Sequence, residues 1–433
     1  MLKTFNNSYR LCRLLHMSTV FLMHRFNHEK RGPYLRRSLE KMGPIFIKFG
    51  QALSTRPDIL PQDILAALKK LQTDVPPFSG IIAKRQVEKA FKQPLETFFQ
   101  RFDLTPLASA SLAQVHAATL VSGEEVAVKI LRPHIHRRVH HDIRLLQFLA
   151  KYLEKIMPSA KQFKVLSLVQ EFKKILNEEL DLNREAANAS QLRRQFLGSP
   201  LLYVPKIHWP LAKKTVLVME RIEGISLSRL PDIQNLPVDR KKLAEMLLEI
   251  FFIQVFHHRF FHGDMHPGNL LLSLSELGQT RYIAVDFGMM GTLSKADQYY
   301  LAQNLMAFLK RDYRRVAELH LNSGWICEQT PLEDFEAAIR TVSEPILEQS
   351  LNQISLGTLL LNLFQTAKQH HINIQPQLLL LQKTLLNVEG LSRELYPEID
   401  LLKTLKPLLE TWSKKNFHLS SWIQKIISGI LQS

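Results

Sequence analysis

His262-Gly263-Asp264-Met265-His266-Pro267-Gly268-Asn269 is the stretch whose reading decides the fold. Phosphoryl transfer needs a carboxylate near the attacking hydroxyl or water and an amide oxygen that holds a metal ion, and the spacing D-x-x-x-x-N delivers both from one loop. Downstream comes Asp286-Phe287-Gly288, entered from the apolar strand pattern Tyr282–Val285. A carboxylate at such a strand end suits Mg²⁺ bridging the β and γ phosphates of a nucleotide. Each piece alone reads equally well as a satisfied loop carboxylate. Together and in this order they point to chemistry on a triphosphate.

Upstream, Val126-Ala127-Val128-Lys129-Ile130 is an apolar strand interrupted by one lysine. Such a lysine snorkels or pairs with a carboxylate, and here it suits the α and β phosphates. Acidic partners lie in Asn177-Glu178-Glu179-Leu180-Asp181-Leu182-Asn183-Arg184-Glu185. On one continuous helix Glu178, Asp181 and Glu185 share a face, with Glu179 beside it. A solvated acidic face is the plain alternative. The lysine strand is preceded by Ala108-Ser109-Ala110-Ser111-Leu112-Ala113-Gln114-Val115-His116. A phosphate-cradling loop at this position calls for glycines, which let backbone N–H groups approach closely. Alanine and serine permit this in part, and a plain small-residue turn fits the same residues.

The alanine-rich loop, Ala-Val-Lys, Glu-x-Asp, His-Gly-Asp-x-His-Pro-Gly-Asn and Asp-Phe-Gly together resemble the AarF/UbiB family of atypical kinases. Lys48-Phe49-Gly50-Gln51, in the N-terminal extension and followed by Ser54-Thr55-Arg56-Pro57-Asp58, matches that family's K-x-G-Q motif. The likeness runs from about residue 40 to about residue 400 and includes Glu389-Gly390. It implies an α+β, bilobal, protein-kinase-like fold that is mostly helical. A helical extension would span residues 1–101, a small lobe 102–220, a helical lobe 221–405 and an amphipathic tail 406–433.

The resemblance also implies roles. Lys129 would bind phosphate with Glu185 as its helix partner. Residues Ala108 to His116 would face ATP. Asp264 would be the catalytic-loop aspartate, with Asn269 and Asp286 as Mg²⁺ ligands. Glu179 and Asp181 would meet Lys48 and Gln51 where a typical kinase admits its peptide. Implied with these are ATP and Mg²⁺ as cofactors, an ATPase activity supporting ubiquinone biosynthesis, a membrane lipid or quinone precursor and quinone-pathway enzymes as partners, and no nucleic acid. The expected location is cytoplasmic and peripheral to the inner membrane.

Composition sets the outer bounds. Among 433 residues, Lys and Arg outnumber Asp and Glu by 56 to 40, for a net charge of +16. That excess favours anionic partners: nucleotides, nucleic acid or an acidic lipid surface. Two distant cysteines, Cys12 and Cys327, give no disulfide framework. The richest apolar run, Leu243 to Phe256, is interrupted by Glu245 and Glu249 and predicts a buried core helix, not a membrane span. Many bacterial relatives end in two apolar transmembrane helices. Here Leu419, Trp422, Ile423, Ile426, Ile427, Ile430 and Leu431 form an amphipathic stripe that suits a membrane interface or a protein core.

Three rival readings stand beside this one. His262, Asp264 and His266, with His257 and His258, read as a metal cluster of a hydrolase. The same loop also resembles small-molecule phosphotransferases, which lack the K-x-G-Q extension. A nucleotide-gated scaffold for quinone-pathway enzymes would use the motifs with little turnover.

Overall fold

The computed structural model describes residues 28–54, 60–71, 75–156, 165–229, 233, 238–274, 280–322, 331–348, 355–369 and 375–430. They belong to two compact units. One comprises the chain up to Ala187 together with Lys206–Ile222, and the other comprises Asn188–Pro205 together with the chain from Glu223 onward. The expected division at residues 101 and 102 does not separate these units, because the helical extension is part of the first.

In the first unit, helices α1 (His28–Met42) and α2 (Pro44–Ser54) are parted by Gly43, whose φ of +105° suits a residue without a Cβ. Arg31 of α1 donates to both carboxylate oxygens of Asp63 on α3 (Gln62–Leu68) at 2.6 and 2.7 Å. Helix α4 (Gly80–Phe91) lies against an antiparallel sheet of β1 (Phe99–Ser109), β2 (Ala113–Leu120), β3 (Glu125–Leu131) and β5 (Val216–Glu220), in the order β1-β2-β3-β5. The intervening β4 (Leu202–Tyr203) belongs to the second unit.

Alternation along β3 sets the small lobe's two faces. Val126, Val128 and Ile130 are fully buried in a cluster with Ala83 and Val87 of α4 and Val216 and Val218 of β5. Because successive side chains point to opposite faces, Lys129 is directed to the other side, in register with Val115 and Leu217. Helices α5 (Ile135–Ile156), α6 (Val165–Glu179) and α7 (Leu182–Gln195) follow. The one continuous helix considered for the acidic run is therefore broken at Leu180 and Asp181. Asp181 Oδ1 accepts from Asn183 N at 3.1 Å, so its short side chain serves the new helix end. The common acidic face expected for Glu178, Asp181 and Glu185 does not exist.

The second unit holds a small sheet of order β4-β9-β8-β6, built around the hairpin β8 (Leu270–Leu274) and β9 (Thr280–Ala284), with β6 at Ile225–Ser226. A separate ribbon pairs β7 (Phe260–His262) with β10 (Met290–Thr292). Helix α8 (Arg240–Phe252) is the predicted core helix. It buries Leu243, Ala244, Leu247, Leu248 and Ile250, then widens into a π-helical turn over Ile253–His258.

Helices α9 (Lys295–Leu309), α10 (Tyr313–Asn322), α11 (Leu332–Leu347), α12 (Leu356–Gln369), α13 (Pro376–Leu395) and α14 (Leu401–Ile430) complete the second unit. Ser294 and Asp297 form a reciprocal capping box at the start of α9. The boundary expected between 405 and 406 falls inside α14. Trp412 of that helix packs on Phe256 and Tyr299, so this part of the supposed tail belongs to the core. The residues before 28, the run Thr55 to Asp58, Cys12, Cys327 and the side chains of the stripe from Leu419 lie outside the described residues. Among the described residues no helix is long and apolar enough to cross a membrane.

Two outcomes follow from these packings. A Cβ on Gly80 would come 2.1 Å from the Leu104 carbonyl oxygen. Gly80→Ala is expected to destabilise the first unit by about 1–3 kcal/mol, read by chemical denaturation. His320 is buried between Tyr300 and Phe335, and burial pushes its imidazole down to about 4. Its contribution is complete above the ordinary histidine value and is lost as pH falls towards the folded value. The stability difference between wild type and His320→Gln should therefore shrink by about 3 kcal/mol from pH 7 to pH 4.

Candidate active site

Lys129 is held where the alternation of β3 sends it. Its Nζ donates to Glu185 Oε1 at 2.6 Å, and the side chains retain only 13% and 5% of their exposure. Facing each other offsets the withdrawal of both ions from water; alone, either would meet a desolvation cost of several kcal/mol. Glu185 is available because the break at Asp181 starts a new helix and turns its first turn to the strand. Glu179, on the other side of that break, forms an ion pair with Lys48 of α2 instead. The acids that looked equivalent in sequence are thus divided between two lysines, and Glu178 pairs with Arg184 at 3.5 Å.

The rest of the Lys48 motif fastens the extension. Gln51 Nε2 donates to the Leu71 carbonyl at 3.0 Å. A Cβ on Gly50 would lie 2.5 Å from Leu71 Cδ1 and 2.7 Å from Leu39 Cδ1, both on buried leucines. The glycine of this motif is therefore a packing requirement.

The residues Ala108 to His116 form the β1–β2 turn and the two strand ends beside it. Arg132 staples this turn. It donates to the Ala110 carbonyl at 2.9 Å, to Ser109 Oγ at 2.8 Å and to the Pro76 carbonyl at 3.1 Å. Burial holds its guanidinium below the usual arginine value, assisted by nearby Arg138. Gln114 exchanges hydrogen bonds with both backbone groups of Phe78, and His116 Nδ1 meets the Asp103 carbonyl at 2.7 Å. These two buried side chains are committed to the protein's own backbone. Ala108, Ala110, Ser111, Leu112, Ala113 and Val115 belong to the same hairpin, in which Ser111, Leu112 and Ala113 are buried.

In the second unit, β7 delivers the loop that follows. His262 is buried against Phe287, and its Nδ1 accepts from Asp264 N at 3.1 Å. Asn269 Nδ2 donates to the Asp264 carbonyl at 3.1 Å, closing the loop on itself. That bond fixes the side chain's orientation, and the carbonyl oxygen is the amide atom able to meet a cation. Asp286 adopts φ +63°, a left-handed conformation rare for a residue with a Cβ, and its Oδ1 accepts from Gly288 N at 3.2 Å. Phe287 is fully buried, and its carbonyl accepts from Asn188 Nδ2 at 2.9 Å. The hard oxygen donors of Asp286 and Asn269 fit Mg²⁺.

The sequence reading missed Lys383. From α13 its Nζ donates to Asp264 Oδ1 at 2.9 Å. Burial works to raise the Asp264 carboxyl, but Lys383 and His266 outweigh it, and the group lies below the ordinary aspartate value. Nothing local marks Lys383, because one lysine in a leucine-rich helix reads as a solvated face. Of the histidines in the rival metal-cluster reading, His266 Nδ1 accepts from Gly268 N at 2.9 Å and His258 packs on Phe196, and among the described residues no group of three or more His, Cys, Asp or Glu side chains is placed to hold a metal ion.

Residues 70–320 match the ABC1 atypical kinase-like domain, and residues 339–400 match the UbiB helical domain. The chain belongs to the UbiB group of ABC1 atypical kinase-like proteins. It is 50% identical over 406 residues to the probable protein kinase UbiB of Marinobacter nauticus, covering 91% of this chain and 74% of that protein. It is 54% identical over 385 residues to the protein of the same name from Pseudomonas paraeruginosa, covering 89% and 72%. A solved Mycobacterium tuberculosis protein in complex with erythromycin shares the fold at a TM-score of 0.56 and 23% identity, over 82% of this chain and 90% of that one. Lys383 lies within the UbiB helical segment, outside the kinase-like match.

The buried ion pair gives a measurable coupling. Lys129→Met should destabilise the first unit by about 3 kcal/mol, and Lys129→Met combined with Glu185→Leu should recover most of that loss. A denaturation double-mutant cycle checks it; additive losses would contradict the coupling.

Proposed function

We propose that this UbiB-group protein binds ATP with Mg²⁺ and transfers the γ-phosphoryl group to water, supporting ubiquinone biosynthesis from a peripheral position on a membrane. The observation that carries the reading is the buried Lys129–Glu185 pair, which presents an oriented ammonium to phosphate oxygens. Asp264, with Asn269 bonded to its backbone, suits the orientation of the attacking water and acceptance of its proton. Asp286 and Asn269 would hold the Mg²⁺, which when bound offsets the charge of the phosphates. The Lys48–Glu179 ion pair fixes the extension to the helix before Asp181. That arrangement supports a site closed to a polypeptide and open to nucleotide and water.

The quinone connection rests on the UbiB name of the relatives. An apolar cavity of about 110 Å³ in the second unit supports an apolar ligand as well; it is lined by residues that include Phe252, Phe256, Leu359, Leu363 and His320. The net charge of +16 favours an anionic membrane surface.

Mg²⁺-ATP hydrolysis is the test, run with and without anionic liposomes and a polar quinone-precursor analogue. Both additions should raise turnover. Asp264→Asn should lower hydrolysis at least about 100-fold while Mg²⁺-nucleotide binding persists. Hydrolysis unchanged in Asp264→Asn would remove Asp264 as the base. Robust peptide phosphorylation indifferent to lipid would replace the reading with an ordinary protein kinase.

A further inference from the structure

Between Phe260 and Thr280 the chain contains no lysine or arginine, so the loop bearing Asp264 and Asn269 has no permanent cation of its own. A phosphoryl group in flight spreads negative charge over its equatorial oxygens and needs cations placed beforehand. An aspartate carboxylate beside that group works against it. Lys383 stands at this place, 2.9 Å from Asp264 Oδ1, with both side chains still about 30% exposed (28% and 30%).

Its location is set by close packing. Leu380, one turn earlier on the same face of α13, fills the space beside Gly263; a Cβ there would lie 2.8 Å from Leu380 Cδ2. The helix is anchored at its other end, where Ser392 Oγ donates to the Ala244 carbonyl at 3.4 Å. Missing methyl substance at Gly263 thus lets α13 come close enough for a lysine to reach the loop.

We infer that Lys383 is the cation of the catalytic loop, supplied from the UbiB helical segment, and that it positions the Asp264 carboxylate and contacts the transferred phosphoryl oxygens. The inference rests on the ATP-dependent reading above. In the step, a water oxygen forms a bond to Pγ while the bond from Pγ to the bridging oxygen breaks, its electron pair leaving with ADP. The proton of the attacking water passes to Asp264. Lys383 keeps its protons throughout and acts through charge alone.

Lys383→Met, which preserves length and packing, should lower kcat for Mg²⁺-ATP hydrolysis about 100-fold with KM for ATP within about threefold of wild type. Lys383→Arg should restore kcat to within about tenfold of wild type, since the charge returns with a different donor shape. The Lys383→Met protein should bind Mg²⁺-ADP like wild type yet bind Mg²⁺-ADP-aluminium fluoride at least about tenfold more weakly. A merely structural lysine would move the melting temperature and both affinities together. Lys383→Met turnover equal to or above wild type, as an inhibitory latch would give, overturns the inference alone. Wild-type protein that neither binds nor hydrolyses ATP removes this inference and the proposed function together.

Discussion

A lysine on the central strand of a four-stranded sheet is an unfavourable thing to build, and the first unit is arranged around making it tolerable. The alternation of β3 gives Val126, Val128 and Ile130 to the core and leaves Lys129 on the opposite face. The ammonium there is met by Glu185 at 2.6 Å, which offsets its desolvation. For Glu185 to arrive, the acidic segment must stop being one helix. The turn at Leu180 and Asp181 does this, and it also leaves Glu179 on the preceding helix for Lys48. One helix break therefore places Glu185 against Lys129 and Glu179 against Lys48 at once.

Part of this was legible in the residues. The loop from His262 to Asn269 and the Asp-Phe-Gly turn are local constellations: donor, acceptor and turn residues follow one another within a few positions, so their spacing carries their geometry. The lysine strand was legible for the same reason, through its period of two. The helix break was not. Glu178, Glu179, Asp181 and Glu185 have good helical spacing, and the residue that ends the regularity, Asp181, ends it through a hydrogen bond to Asn183 N that propensity alone does not require. Gln114 and His116 show the complementary difficulty. Polar residues in an expected phosphate loop look like ligand contacts, yet their partners are the backbone groups of Phe78 and Asp103. Lys383 is beyond any local reading, being 119 positions from its partner.

The two segments matched by family likeness meet within one unit of the fold. The kinase-like segment supplies the loop and its carboxylate, and the UbiB helical segment supplies a charged side chain to that carboxylate. The helical segment is thereby tied to the His262–Asn269 loop as well as to the core. Within the helical segment itself, Glu389 of the same helix accepts from Gly357 N at 3.1 Å at the start of α12. A buried carboxylate at a helix N-terminus is well placed against the partial positive charge found there.

The absent side chain at position 263 has a further consequence for how this sequence is free to drift. Positions 263 and 380 occupy one shared volume, so they are not independent sites. A methyl group added at 263 must be met by a shift of the Leu380 side-chain tip or by a smaller residue there. In a library varying both, alanine at 263 should survive chiefly beside small residues at 380, whereas each position varied alone would look intolerant. The pair would then register as a co-varying contact between two segments that family comparison treats as separate.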